Sequence, residues 1–424
     1  MSKKGKNIFF GIGFSAILFV FFISHEESEG IDYSNTLEKI EIDLPETKTH
    51  LDSVIEEYTS YFKMAFDSAG VPGAAICVVS DTQVVYSGTF GVKKVNSVDF
   101  VDHETVFRLA SVSKSFAALL ISIMVDEGVI DWDDRVTEYL PYLRFKAPAT
   151  TNNLTIRHLL SHTTGLVPHA YDNFVEENVP YNQILQSLEF VDICCYPGEV
   201  YGYQNVAYSL IADILRVRTG KSYQQLLEEK VFKPFGMNTA TADFDGIYKR
   251  LNHAAPHVNT WRGWAEVHPE KSYYAVAPAA GVNASITDMG QYLKMLLQMA
   301  PDPTDTSTTN NIFAPHVYSP LKWTYTRYWN GVKERYYALG WRLYKAGDKW
   351  IVYHGGYVRG YRAEIALFPE ENIGIAVLMN GANRLASQSI PYFFNRYFNK
   401  SRPFEDWGEM LVAENDADEA LLNE

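Results

Sequence analysis

Cysteine is scarce: three in 424 residues, too few for a disulfide scaffold. Cys194 and Cys195 are neighbours, and a bridge between neighbours is strained. Cys77 lies in a strand-like run. All three read as unpaired small hydrophobes, with a link from Cys77 to one of the pair left open for an oxidising compartment. Basic residues are also short. Against 51 Asp and Glu stand 37 Lys and Arg, a formal net charge of −14, which excludes the basic face that nucleic acid requires. Part of that excess is local, because residues 401–424 form an acidic tail with no Lys or Arg after Arg402. No G-x-S-x-G occurs, which removes the usual α/β-hydrolase elbow. His158 and His162 have i, i+4 spacing but no H-E-x-x-H around them, so they read as structural and no metal is implied. No internal repeat is found. The 47% hydrophobic composition is that of a globular chain able to bury a sizeable core.

Long apolar runs are likewise few, and the first is at the start of the chain. Lys3, Lys4 and Lys6 precede the 16 residues from Ile8 to Ile23, and Glu26, Glu27 and Glu29 follow. That order reads as a signal peptide or an uncleaved anchor over residues 1–30. The run is shorter than the roughly 20 residues that span a bilayer, and both fates stay open. The lysines would remain cytoplasmic, which places the rest in an exported, periplasmic or cell-envelope setting, with membrane contact through residues 8–23. Gly11-Ile12-Gly13-Phe14-Ser15-Ala16 matches a dinucleotide fingerprint by letters only. It follows no strand, so no cofactor is implied.

Residues 31–50 read as a polar stalk. Val54, Tyr58, Phe62 and Phe66 give Leu51–Ala69 a helical period, broken by Pro72-Gly73. Ala75–Val79 and Val84–Ser87 flank Asp81-Thr82 as a hairpin. Phe116–Val125 is apolar nearly all round, which predicts a buried helix that Gly128 stops. Residues 126–280 read as mostly helical, with one clear helix capped by Asn205 and closed by Gly220. A further helix follows with Thr287 as its cap, then a polar loop over 301–311. Strands return at Tyr337–Tyr344, Trp350–Tyr353, Ala363–Phe368 and Ile373–Leu378, and an amphipathic helix runs from about Leu385 to Phe398. Strands at both ends around a helical middle predict an α+β fold. One antiparallel sheet, flanked by helices, is built from both ends with an all-α lobe (126–280) inserted.

Three groups of residues carry chemistry. Ser111-Val112-Ser113-Lys114 stands at the head of the buried helix, where i and i+3 share a face. A serine needs a base to become a nucleophile, and a lysine deprived of water supplies one. The helix N-terminus also offers N–H groups to a developing oxyanion. In Tyr203-Gln204-Asn205, an extended approach to a helix puts Tyr203 and Asn205 on one side. A tyrosinate beside a cation can then take the serine proton and return it to a leaving group. His354-Gly355-Gly356 is placed at a strand end, where two glycines allow close backbone approach. Tyr357 N–H with Ser111 N–H would then form a two-donor oxyanion hole.

In this order and spacing, the three groups resemble the boxes of the serine β-lactamase and penicillin-binding protein superfamily, in its class C-like branch: S-x-x-K, Y-x-N, and K-T-G or a variant such as H-x-G. Arg157–Leu166, Lys233–Met237, and Pro278–Gly281 with Asp288-Met289 resemble further segments of that family, so the likeness covers about residues 52–399. The resemblance implies a β-lactamase/transpeptidase-like fold with the site in a cleft. It implies that Ser111 is acylated, that Lys114 and Tyr203 share the proton work, and that Asn205 holds a substrate amide. His354, with Gly355 and Gly356, would stand in the third box. That box departs from K-T-G: a histidine is only partly charged at neutral pH, and Gly355 has no hydroxyl. The departure argues against efficient β-lactam hydrolysis and suits esterase, peptidase or D-amino-acid-releasing relatives. The expectation is an exported serine hydrolase that acts on an amide, lactam or ester of a small molecule or peptide. The rival is a catalytically weak envelope binding or sensor protein using the same cleft.

Overall fold

The structure is a computed structural model that describes residues 49–299, 312–320 and 326–399. The expected leader (1–30), almost all of the stalk (31–50), the loop at 301–311 and the acidic tail (401–424) lie outside the described residues. Among the described residues no helix is long and apolar enough to cross a membrane.

Helix α1 (His50–Ala69) opens on a reciprocal cap: Thr49 Oγ1 accepts from Asp52 N–H, and the Asp52 carboxylate accepts from Thr49 N–H. Gly70 ends it in the left-handed conformation. Strands β1 (Gly73–Ser80) and β2 (Gln83–Gly91) form the expected hairpin. The short strand β3 (Phe107–Arg108) leads to a turn at Ala110–Val112 and then to α2 (Ser113–Asp126). Within residues 126–280 helices alternate with loops, and the extended elements are the hairpin β4 (His257–Thr260) and β5 (Gly263–Glu266), which the periodicity did not reveal. Strand β6 (Asn283–Ala284) pairs with β3. The following helix, Ile286–Met299, is capped by Ser285 and Asp288 rather than by Thr287, whose hydroxyl donates to His103 O instead.

Strands β7 (Val317–Tyr318), β8 (Val332–Tyr337), β9 (Arg342–Ala346), β10 (Lys349–Val358), β11 (Tyr361–Phe368) and β12 (Ile373–Met379) form an antiparallel meander. The N-terminal hairpin docks on its far edge, with Ala74 opposite Met379 and Ser80 opposite Ile373. The result is one eight-stranded antiparallel sheet in the order β2-β1-β12-β11-β10-β9-β8-β7. This is the expected α+β architecture. The expected strand Tyr337–Tyr344 is in fact two strands broken at Gly340, whose φ of 75° makes the turn.

Period-two alternation decides what each face buries. Ala74, Ile76 and Val78 pack with Tyr58, Phe62 and Phe66 of α1 and with Phe393 and Phe394 of the helix Arg384–Phe398. Ala75, Cys77 and Val79 belong to the opposite core, with Phe116–Ile121 of α2 and Leu293 of Ile286–Met299. Helix α2 is therefore central: Phe116 to Ser122 are all buried, and Phe116 stacks on Tyr292 with ring centres 3.8 Å apart. A helix apolar on every side has only the interior to go to.

Candidate active site

Ser111 sits in the turn Ala110–Val112, and α2 begins at Ser113, two residues after the helix start expected near Ser111. Ala110 before it is buried with a φ of 48°, a left-handed conformation that costs a non-glycine residue on the order of 1–3 kcal/mol. Two hydrogen bonds to Val282 flank it. Leu109 N–H donates to Val282 O at 2.9 Å, and Val282 N–H donates to Ser113 Oγ at 2.8 Å. Lys114, one turn on, has no exposed surface. Its own carbonyl accepts from Tyr208 Oη at 2.7 Å.

Two side chains converge on the hydroxyl of a third. Tyr203 Oη donates to Ser111 Oγ at 2.9 Å, and Lys114 Nζ lies 3.4 Å from the same oxygen. Lys114 Nζ is also 4.5 Å from the centre of the Tyr203 ring. It donates to Asn205 Oδ1 at 2.7 Å and to Ala279 O at 3.0 Å. Burial pushes the Lys114 amine well below the ordinary lysine range; Asp172 opposes that and Arg342 adds to it. A neutral amine has two N–H bonds and one lone pair. With both N–H bonds given to the two carbonyls, the lone pair is left for Ser111 Oγ. Burial pushes the Tyr203 phenol up, against the pull of Arg342 and of its bond to Ser111. That direction favours the protonated phenol over the expected tyrosinate.

Asn205 precedes the helix Val206–Thr219 as expected, but its side chain does not cap it. The amide bridges two charged groups instead, accepting from Lys114 and donating from Nδ2 to Asp172 Oδ2 at 2.7 Å. Asp172 also accepts from or pairs with His169 Nδ1 at 2.8 Å, and the His169 ring lies 5.3 Å from that of Tyr203. Tyr203 itself is seated by His162. Gly202 N–H donates to His162 O at 2.8 Å, Gln204 N–H donates to His162 Nδ1 at 3.1 Å, and the His162 and Tyr203 rings are 4.3 Å apart.

His354-Gly355-Gly356 lies inside β10, which continues to Val358, rather than at a strand end. Strand β9 pairs with β10 only as far as Tyr353, while β11 follows it to Val358. The glycine half of β10 thus has no β9 partner, and at Gly356 it packs against the serine turn. A Cβ on Gly356 would sit 2.2 Å from Leu109 O and 2.9 Å from Ser111 N, so only glycine allows this approach. Tyr357 follows directly. On Gly355 a Cβ would meet Tyr353 Oη at 2.7 Å and Glu364 Oε2 at 2.8 Å.

His354 is fully buried, and burial pushes its imidazole well below the usual range, with Arg342 and Lys114 adding to the effect. The ring is neutral. Its Nδ1 faces Gly355 O at 2.9 Å and its Nε2 faces Tyr337 Oη at 3.2 Å. The positive charge at this box belongs to Arg342, half-buried at the start of β9. Its Nη1 is 3.3 Å from His354 Nδ1 and its guanidinium 5.6 Å from the Tyr203 ring. Arg342 and Asp172 were not found from the sequence. Arg342 has no acid at strand spacing, Asp172 has only His169 at i−3 to mark it, and it is the fold that brings both charges to Lys114.

A family model described as Beta-lactamase matches residues 51–392. The chain belongs to the beta-lactamase family. Within the serine beta-lactamase and penicillin-binding protein superfamily its relatives are distant. Over 346 residues, 79% of the chain, it is 24% identical to "Unguisins hydrolase ungD'" of Aspergillus campestris. Over 348 residues, 78% of the chain, it is 24% identical to "Protein flp" of Staphylococcus aureus strain MW2. The chain spans 63% and 64% of the lengths of those two relatives. Among solved structures, an octameric penicillin-binding protein homologue from Pyrococcus abyssi superposes with a TM-score of 0.68. That match, at 24% identity, covers 80% of this chain and 77% of the other. It shows the beta-lactamase-family fold.

Proposed function

We propose that this beta-lactamase-family chain is a serine hydrolase working through an acyl-enzyme on Ser111. The observation that carries the reading is the single oxygen, Ser111 Oγ, set between the Tyr203 hydroxyl at 2.9 Å and the Lys114 amine at 3.4 Å. Ser111 Oγ attacks the carbonyl carbon and its proton passes to Lys114 Nζ. The carbonyl oxygen becomes an oxyanion and takes the N–H groups of Ser111 and Tyr357. Collapse breaks the bond to the leaving group, which takes the Tyr203 phenolic proton while Lys114 returns its own to Tyr203. Water then cleaves the ester by the same route in reverse order. Asn205 positions Lys114 and borders the substrate amide; Gly355 and Gly356 give the acyl group its backbone edge. His354, buried and uncharged, holds Arg342 rather than the substrate.

Arg342 favours one substrate class. Its guanidinium is the cation on the Tyr203 side, where the leaving group is protonated. An amide or lactam whose leaving portion bears a carboxylate fits that charge better than a neutral ester does. The N-terminal order of lysines, apolar run and acids supports an exported setting.

Labelling the full chain with a fluorophosphonate and with a penicillin tests the reading, followed by turnover of nitrocefin, a p-nitrophenyl ester and a D-Ala-D-Ala peptide. Ser111→Ala is expected to abolish the label. A label that survives that change sinks Ser111 as nucleophile. A wild type that takes no label moves the chain to the binding or sensor role.

A further inference from the structure

Cys194 and Cys195 take no part in the chemistry above, yet their sulfurs lie 3.0 Å apart, Cys194 exposed and Cys195 half-buried. Cys77, in contrast, is sealed in the core. We propose that Cys194-Cys195 is a reversible thiol-modification site, a vicinal dithiol that reacts with low-molecular-weight disulfides and closes into an eight-membered ring.

The step balances as two exchanges. Cys194, the exposed sulfur, attacks one sulfur of the small disulfide; a mixed disulfide forms and one small thiol leaves. Cys195 then attacks Cys194 Sγ, loses its proton, and the second small thiol leaves. The sum is one small disulfide reduced to two thiols and one protein dithiol oxidised. Burial and then the bond to Cys194 push the Cys195 thiol up to about 12, and the mixed disulfide removes the second of those causes. Bond formation requires the sulfurs to close from 3.0 Å to the roughly 2.05 Å of a disulfide. Adjacent Cα atoms are held about 3.8 Å apart by a trans peptide. A relaxed disulfide wants at least about 4.4 Å. The ring is therefore strained, and strained, exposed disulfides are the readily reduced ones. Strain makes the site reversible instead of forbidding it.

The strain has a defined place to go. Cys194 N–H donates to Gly165 O at 2.8 Å, and Gly198 N–H donates to Thr163 O at 2.7 Å. A Cβ on Gly165 would sit 2.3 Å from Cys195 O, so the Cys195 carbonyl has no free room to turn. The same two strands of chain continue as Gly202 N–H to His162 O and end at Tyr203. Closing the ring must therefore disturb the ladder between residues 162–169 and 191–204, whose last rung carries the phenol.

The test is to treat the full chain with oxidised glutathione and map it by mass spectrometry. The expected product lacks two hydrogens on the peptide containing residues 194 and 195, keeps Cys77 as a free thiol, and returns on dithiothreitol. Cys195→Ser is expected to stop at the glutathione adduct on Cys194. Hydrogen exchange in residues 162–169 and 191–204 is expected to rise on oxidation, with β10 unchanged. A stable adduct on wild type, a bridge to Cys77, or a covalent dimer overturns the dithiol; unchanged exchange overturns the coupling. None of these readouts depends on Ser111 being reactive, so failure here is separable from failure of the hydrolase reading.

Discussion

Gly356→Ala tests whether the approach of β10 to the serine turn sets the reaction. The added methyl would lie 2.2 Å from Leu109 O, where ordinary contact begins near 3.4 Å. Neither partner is a flexible side-chain end; both are backbone in buried segments. The strand and the turn must therefore part by about 1 Å, and a displacement of that size at reacting atoms costs about 100-fold in rate. The overpacking itself is expected to cost about 1–3 kcal/mol of stability. The assay is the second-order rate of fluorophosphonate labelling, with thermal unfolding measured alongside. Gly374→Ala is the matched control, because its methyl would meet Leu293 Cδ2 at 2.9 Å, in a helix packed on β12. It should lower the unfolding temperature while labelling at the wild-type rate. Labelling of Gly356→Ala at the wild-type rate, with the protein folded, would refute the idea that this contact places the oxyanion donors.

Lys114→Ala is expected to lose at least ~100-fold in acylation with the fold retained, as for removal of a general base. Because burial lowers the Lys114 pKa, the working form is the neutral amine. Acylation should fall as pH drops through that lowered pKa, and this limb should vanish in the variant; a limb that survives assigns it to another group. Asp172→Asn removes the charge that opposes the lowering, so the same limb should move to lower pH, which a labelling profile against pH reads directly. Arg342→Gln should raise KM about tenfold or more for substrates whose leaving portion bears a carboxylate, in line with loss of a charge-assisted pair. KM for a neutral p-nitrophenyl ester should hardly move, and equal effects on both would remove Arg342 from carboxylate recognition.

Much of the architecture is legible where one physical rule acts alone. Val54, Tyr58, Phe62 and Phe66 mark α1 because one helix face is buried. The near-continuous apolar run marks α2 because all its faces are. The spacing of Ser111 and Lys114, and the run into Asn205, are the local signals for side chains that lie within reach of one another in the fold. Reading fails where a tertiary demand overrides the local one. Gly340 breaks a strand because a Cβ there would sit 2.5 Å from Lys114 O, a neighbour far away in the sequence. Asn205 gives up capping because Lys114 and Asp172 bid for both ends of its amide. The charge of the third box is in Arg342, one strand away from His354, since pairing across β9 and β10 brings together residues that spacing keeps apart.

The pairing of Ala74 with Met379 has a consequence for synthesis. A ribosome delivers Ser111 early and the strand that faces it late. Until residues past 379 have emerged, β1 lacks its partner and Gly356 has no settled strand to bring it against the turn. In the nascent polypeptide the Ser111 turn therefore lacks Gly356 beside it until about the last tenth of translation. Closing so distant a contact is slow, because its loop-closure entropy is spent before the contact rewards it.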